Sequence, residues 1–314
     1  MSTAQNRPRV GISACLLGHE VRWNGAHKRD GWLVDVLGPR VEWVPVCPEV
    51  EVGLGVPREP IRLVGDPGDP RLVSESGEDL TERMQSWVAA RAGELAAFDL
   101  AGYVLKSDSP SCGARQVPVH AALGAPRRAG VGVFARGLRQ RFPLLPIEEE
   151  TALLERLDRM GFVERIFAYA RWQSAGGKGM SPAAFTRFHA EHELAVLAHN
   201  TRGWERLSTL LSSAELGDFQ PAVEAYASAF MAALESPVTR GGHAAALLRM
   251  LERLEGALSV EESAELRALV SEYQRGRQSL LVPLRCGREH ARRLGIESLT
   301  NQVYLSENPE EILS

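Results

Sequence analysis

Short apolar runs, bounded by glycine, proline and polar clusters, dominate the first 150 residues. Pro8-Arg-Val-Gly-Ile-Ser-Ala-Cys15 reads as a buried strand running into a loop. Val41-Glu-Trp-Val-Pro-Val-Cys47 repeats the pattern, and Pro45, with no N–H to give a ladder, puts this run at a strand end or a sheet edge. A third run, Ala101-Gly-Tyr-Val-Leu-Lys106, leads into Ser107-Asp-Ser-Pro-Ser-Cys112-Gly113. Between the second and third runs, Leu80, Met84, Trp87, Val88 and Leu95 recur at spacings that predict a helix over 80–98, with Arg91 on the rim of its apolar stripe. A shorter helix over 130–141 and a strand at Leu144-Leu-Pro-Ile147 follow. Strands alternating with helices predict an α/β domain: a Rossmann-like, mostly parallel sheet covered on both faces. Residues 53–70, rich in glycine and proline and without periodicity, read as a long loop or lid.

After Glu148-Glu-Glu150 the period changes. Residues 151–275 read as helical nearly throughout, with breaks at Gly176-Gly177, Gly217, Pro237 and Gly241-Gly242. Ser181-Pro182 sets an N-cap before a first-turn proline, and Ser259-Val-Glu-Glu262 is a capping box. The tail from Leu280 is mixed, with an irregular final segment. Two domains are therefore expected: 1–148, α/β, and 149–314, mainly α-helical.

Composition narrows the class. With 44% hydrophobic and 24% charged residues among 314, the chain is globular rather than disordered. No apolar run approaches the ~20 residues of a membrane span. The opening Met1-Ser-Thr-Ala-Gln-Asn-Arg-Pro-Arg9 has no apolar leader core, so the expectation is a cytoplasmic protein without a membrane partner. A net charge of −4 excludes a general nucleic-acid coat but leaves room for a local basic face.

Cys15, Cys47, Cys112 and Cys286 include no Cys-x-x-Cys pair, which argues against a disulfide scaffold. The first three each follow a strand candidate, and the carboxyl ends of parallel strands share the rim where ligands bind. Three thiols gathered there are either core residues, ligands of a zinc ion with water as the fourth, or ligands of three irons of a 4Fe-4S cube. Glu49, two residues beyond Cys47, is either a surface residue or a carboxylate within reach of whatever binds there. Ser107-Asp-Ser-Pro-Ser111 is either an ordinary turn or a cluster of hydroxyls on the same rim. Lys106 either snorkels outward or faces an anion such as a phosphate.

Taken together and in order, Gly11-Ile-Ser-Ala-Cys15-Leu-Leu-Gly18, Arg22-Trp-Asn-Gly25, Pro45-Val-Cys47-Pro-Glu49 and Lys106-Ser-Asp-Ser-Pro-Ser-Cys112-Gly113 resemble the thiouracil desulfidase (TudS) family. Glu164-Arg-Ile-Phe-Ala-Tyr-Ala-Arg-Trp172, Phe188-His-Ala-Glu-His192, Leu197-Ala-His199-Asn and Asn301-Gln-Val-Tyr-Leu305 resemble the YbgA-type helical domain. The pairing is similar to the fused RudS-type enzymes that remove sulfur from 4-thiouridine in tRNA. The resemblance implies a 4Fe-4S cluster held by Cys15, Cys47 and Cys112, with one iron left open for the substrate's sulfur. It implies Glu49 and Ser109 as catalytic residues, and Ser13, Asn24, Lys106, Ser107 and Asp108 as substrate-binding. Cys286 is expected to be structural, since a fourth cysteine would block the open iron. The partner implied is thiolated tRNA, or else a free thiopyrimidine nucleotide.

Arg275, Arg277, Arg285, Arg288, Arg292 and Arg293 stand against Glu289 alone and, with this context, are expected to contact RNA phosphates; otherwise they are a solvated helix face paired with acids. Arg165, Arg171 and Lys178 extend that expected surface. His189, His192 and His199 share helical spacing, and capping, packing or RNA stacking is expected of them rather than metal binding.

Overall fold

A computed structural model of the chain describes residues 7–121, 124–215, 217 and 219–306. The opening residues and the final segment expected to be irregular fall largely outside that range. The chain forms two compact units, Met1–Phe162 and Val163–Ser314. Among the described residues, no helix is long and apolar enough to cross a membrane.

The first unit is built on a wholly parallel sheet of four strands, ordered β2-β1-β5-β8: β1 (Arg9–Ser13), β2 (Glu42–Val46), β5 (Gly102–Leu105) and β8 (Ile147–Glu149). β1 and β5 lie at the centre and are buried almost throughout, as parallel strands packed on both faces must be. β2 is an edge strand, where Pro45 is tolerated. Gly11 sits opposite Tyr103 in the register, and the ring of Tyr103 fills the space a Cβ on Gly11 would need. Helices α2 (Thr81–Leu95) and α3 (Val133–Arg141) match the expected amphipathic segments. The latter begins three residues later than the pattern suggested, because 127–130 form a strand.

A second sheet, ordered β4-β3-β6-β7, corrects the reading of 53–70 as a loop or lid. β3 (Ile61–Asp66) and β4 (Asp69–Ser74) make an antiparallel hairpin, β6 (Val117–His120) pairs parallel to β3, and β7 (Arg127–Gly130) closes the order. The hairpin hides in the sequence because its turn is Asp66-Pro67-Gly68-Asp69, with Asp66 Oδ1 accepting from the Gly68 N–H at 2.7 Å. Only Leu63 is fully buried on β3, too little alternation to register as a strand.

The second unit is helical, as expected. It contains most of α4 (Arg156–Ser174), then α5 (Pro182–His199), α6 (Thr201–Glu215), α7 (Phe219–Glu235), α8 (Arg240–Leu254), α9 (Val260–Gln274) and α10 (Leu281–Arg293), with short helices α11 (Glu297–Thr300) and α12 (Val303–Ser306). Gly241 and Gly242 do not break a helix. They open α8 behind the N-cap Thr239, and Gly242 lies so close to the Ala198 carbonyl on α5 that no side chain would fit. Leu194, Leu247, Met250, Leu266 and Leu284 belong to the core of this unit.

Candidate active site

Every strand of the parallel sheet delivers a chemical group at its carboxyl end. β1 runs into Cys15 on a 3₁₀ turn, β2 into Cys47 and the one-turn helix α1 (Pro48–Glu51), β5 into Lys106–Cys112, and β8 into Glu149 and Glu150. A cavity of about 460 Å³ opens at this rim, bordered by Cys15, Cys47, Cys112, Glu49 and Ser109. The three loops that carry the thiols converge in space as the sequence predicted.

Glu49 is the hub. Its carboxylate accepts from Cys47 Sγ at 3.5 Å and from Ser109 Oγ at 3.4 Å, and lies 3.9 Å from the Arg58 guanidinium. The Ser109 hydroxyl is itself fixed, accepting from the N–H groups of Ser111 at 3.2 Å and Cys112 at 3.0 Å. Burial, and after it the Glu49 carboxylate, pushes the Cys15 thiol up to about 11 and Cys47 to about 12, and raises Cys112 well above the usual thiol value. Three neutral thiols beside a carboxylate are a set that a cationic centre would ionise on binding. Among the described residues, no group of three or more His, Cys, Asp or Glu is disposed around a single-ion site.

The supporting contacts rest on three carboxylates to which the sequence reading gave no role, Glu51, Glu149 and Glu150. The Glu51 carboxylate accepts from the Cys47 N–H at 3.1 Å and pairs with Arg91 of α2 at 3.0 Å, which fixes α1. Glu149, buried, accepts from the N–H of Ala114 at 2.7 Å and of Arg115 at 3.2 Å. Glu150 pairs with Lys106 and accepts from the Ser107 N–H at 2.7 Å and hydroxyl at 2.6 Å. Together they fasten both ends of the Lys106–Arg115 loop. The one signal for them in the sequence is an acidic run placed at the end of a strand candidate.

Of the expected substrate-binding residues, Ser13, Lys106, Ser107 and Asp108 border the cavity. The Ser13 hydroxyl accepts from the Lys106 N–H at 3.0 Å, so β1 and β5 are joined at the rim. The Lys106 ammonium is already occupied by Glu150, and Asp108, at φ 58°, pairs with Arg128. Asn24 is not among the residues bordering the cavity; its side chain accepts from the Ala26 N–H at 3.2 Å, inside the turn.

In the second unit, Arg275 and Arg277 both face Glu272, at 2.8 and 3.4 Å, and Arg293 reaches Glu262 at 2.6 Å. Arg285, Arg288 and Arg292 share one side of α10, flanking the buried stripe of Leu284, Gly287 and Ala291. Cys286 is half-buried on that helix and packs against the core. His189 stacks on Trp204 and His192 on Phe188, with ring centroids 4.1 and 3.9 Å apart. Burial alone would lower His199, but Glu164, 2.9 Å away, outweighs it and raises the imidazole above its usual value.

Comparison with known proteins gives two family matches, residues 10–150 to 2-thiouracil desulfurase and residues 194–309 to a protein of unknown function (DUF1722). The uncharacterized protein YbbK of Bacillus subtilis (strain 168) is 30% identical over 135 residues, 41% of this chain and 88% of that protein. A solved structure, of the 4Fe-4S-dependent thiouracil desulfidase TudS, is 32% identical and spans 46% of this chain and 93% of its own, with a TM-score of 0.40.

Proposed function

The chain belongs, through residues 10–150, to the 2-thiouracil desulfurase family, and from that membership we propose that it is an iron–sulfur enzyme removing the thiocarbonyl sulfur of 4-thiouridine in tRNA. The observation that carries the reading is the meeting of Cys15, Cys47 and Cys112 with Glu49 and Ser109 on one cavity. An all-sulfur donor set from three loops fits a 4Fe-4S cluster, which three cysteines hold with one iron free. When bound there, that cluster supplies Lewis-acid polarisation of the carbon–sulfur bond and an acceptor for the sulfur.

The protein's own groups do the rest. Glu49, buried and aimed into the cavity, takes a proton from the attacking water. The Ser109 hydroxyl, held by two backbone donors, keeps one Glu49 oxygen in place, while the other faces Cys47 Sγ and the Arg58 guanidinium. Water's oxygen bonds to the ring carbon as the π pair of the carbon–sulfur double bond moves onto sulfur. Glu49 then passes its proton to the sulfur, which leaves as hydrosulfide with the remaining pair, and takes up the second proton of the former water. The pyrimidine therefore ends as a carbonyl at unchanged oxidation level.

The tRNA assignment draws on the arginine-bearing α10 of the helical unit, with Arg285, Arg288 and Arg292 on one side. Free thiopyrimidine nucleotides are the second reading, favoured by a cavity the size of a single small ligand. Protein purified without oxygen and given thiolated tRNA or the free nucleotide decides between them. Faster turnover of tRNA, weakened by salt and by Arg292→Glu, is the expected result; equal or better turnover of the nucleotide would replace the first reading with the second.

A further inference from the structure

The Arg22-Trp-Asn-Gly25 motif has a specific geometry. The Arg22 N–H donates to Ala26 O at 3.1 Å and Gly25 N–H to Arg22 O at 2.9 Å, while Asn24 fastens the Ala26 N–H and Gly25 adopts φ 75°. Asn24 and Gly25 therefore build a tight turn, and of its residues Arg22 and Trp23 border the cavity. Trp23 is 45% exposed, the one aromatic residue among the exposed large hydrophobic side chains described, and the one aromatic bordering the cavity. An aromatic ring left open beside a polar, thiol-bearing cavity offers a flat ligand dispersion contact and removal of apolar surface from water.

The turn is not free to swing. Arg58, with its side chain only 8% exposed, donates from its guanidinium to Val21 O and Gly55 O, both at 2.9 Å, and its backbone N–H donates to Trp23 O at 2.8 Å. The same guanidinium lies 3.9 Å from Glu49. Arg58 thus ties the backbone at Val21, through its guanidinium, and at Trp23 itself, through its N–H, to a cation that also faces the Glu49 carboxylate.

We infer that Trp23 is the platform on which the pyrimidine ring stacks, with Arg58 as the positioning residue that holds it in line with Glu49. The inference rests on the proposed desulfidase reading for the identity of the ring. Stacking on an aromatic side chain suits a thiolated pyrimidine, since every base offers a π face and the sulfur at the ring edge stays free.

The test uses the full-length protein prepared without oxygen, in wild-type form and as Trp23→Ala and Trp23→Phe. KM and kcat are measured on the thiolated substrate, and equilibrium dialysis measures the affinity for the corresponding uracil compound, which cannot react. Trp23→Ala is expected to raise KM and weaken uracil binding by roughly ten- to a hundredfold, with kcat within about threefold of wild type. Trp23→Phe should restore most of both, and iron content should be the same in all three. Wild-type turnover with an unchanged KM and affinity in Trp23→Ala overturns this inference and leaves the desulfidase reading standing. A wild-type protein that neither binds nor converts any thiopyrimidine overturns both.

Discussion

Gly132→Ala tests the architecture of the Cys112 loop. Gly132 is the N-cap of α3, at φ −61° and ψ 147°, a conformation alanine adopts without strain, so any penalty is steric. The new methyl would stand against the Ser111 carbonyl, 2.6 Å from its carbon and 3.0 Å from the Cys112 nitrogen. Both are backbone atoms in a loop fixed by Gly132 N–H to Gly113 O at 2.7 Å and Phe134 N–H to Ser111 O at 2.9 Å. The carbonyl oxygen is nearer still, so to reach ordinary contact at 3.4 Å the loop must retreat by about 1 Å, which stretches the second of these bonds past its useful length. Overpacking of this kind costs about 1–3 kcal/mol. Thermal unfolding should fall by roughly 2–12 °C, at about 2–4 °C per kcal/mol, and iron bound per chain should drop because Cys112 moves with the loop. Gly93→Ala, on the exposed side of α2 with nothing within 4 Å, is the control; it should stabilise by about 0.5–1 kcal/mol. A Gly132→Ala protein with wild-type melting and iron content would refute the claim that α3 braces the loop.

Glu49→Gln keeps the shape of the side chain and removes the base, so kcat should fall by about 10²–10⁴-fold with iron content unchanged; activity near wild type would remove Glu49 from the chemistry. Glu149→Ala leaves the buried Ala114 N–H without its acceptor, and denaturant titration should show a loss of about 1–3 kcal/mol, less for Glu149→Gln, which keeps an acceptor oxygen. Burial holds His189 and His243 down at about 4, against about 6.5 in an unfolded chain. Their contribution is therefore complete above pH 6.5 and lost as pH falls toward 4, up to roughly 3 kcal/mol each. His243→Gln should flatten that acid limb, and an unchanged slope would contradict the assignment.

What the sequence revealed followed from burial. The central strands β1 and β5 and the edge strand β2 were legible because each is a compact apolar run, and Pro45 marked the edge correctly. The second sheet was not legible: β3 exposes Arg62 and carries one fully buried side chain, while proline and glycine in its turn imitate a loop. That Cys15, Cys47 and Cys112 follow strands could be read from the sequence, since the topology of a parallel sheet dictates where strand ends meet, whereas Glu49 and Ser109 stood out only through the family resemblance. Arg58, Glu51 and Glu149 did not stand out, because each acts through a hydrogen bond to a backbone group distant in sequence or a turn away, and no periodicity records such a partner. Asn24 shows the converse: a motif residue whose side chain shapes the turn while its neighbour faces the cavity.

The attachment of the Lys106–Arg115 loop to Glu149 and Glu150 sets a timetable for biosynthesis. The three sulfur-bearing segments are synthesised before β8, so a nascent chain of about 140 residues already carries Cys15, Cys47 and Cys112. It still lacks the acceptors for the Ser107, Ala114 and Arg115 N–H groups, and its third thiol rides on a tether without an anchor. Ordering therefore runs from the sheet outward, and the sulfur atoms become a finished receptacle only once the last strand has docked.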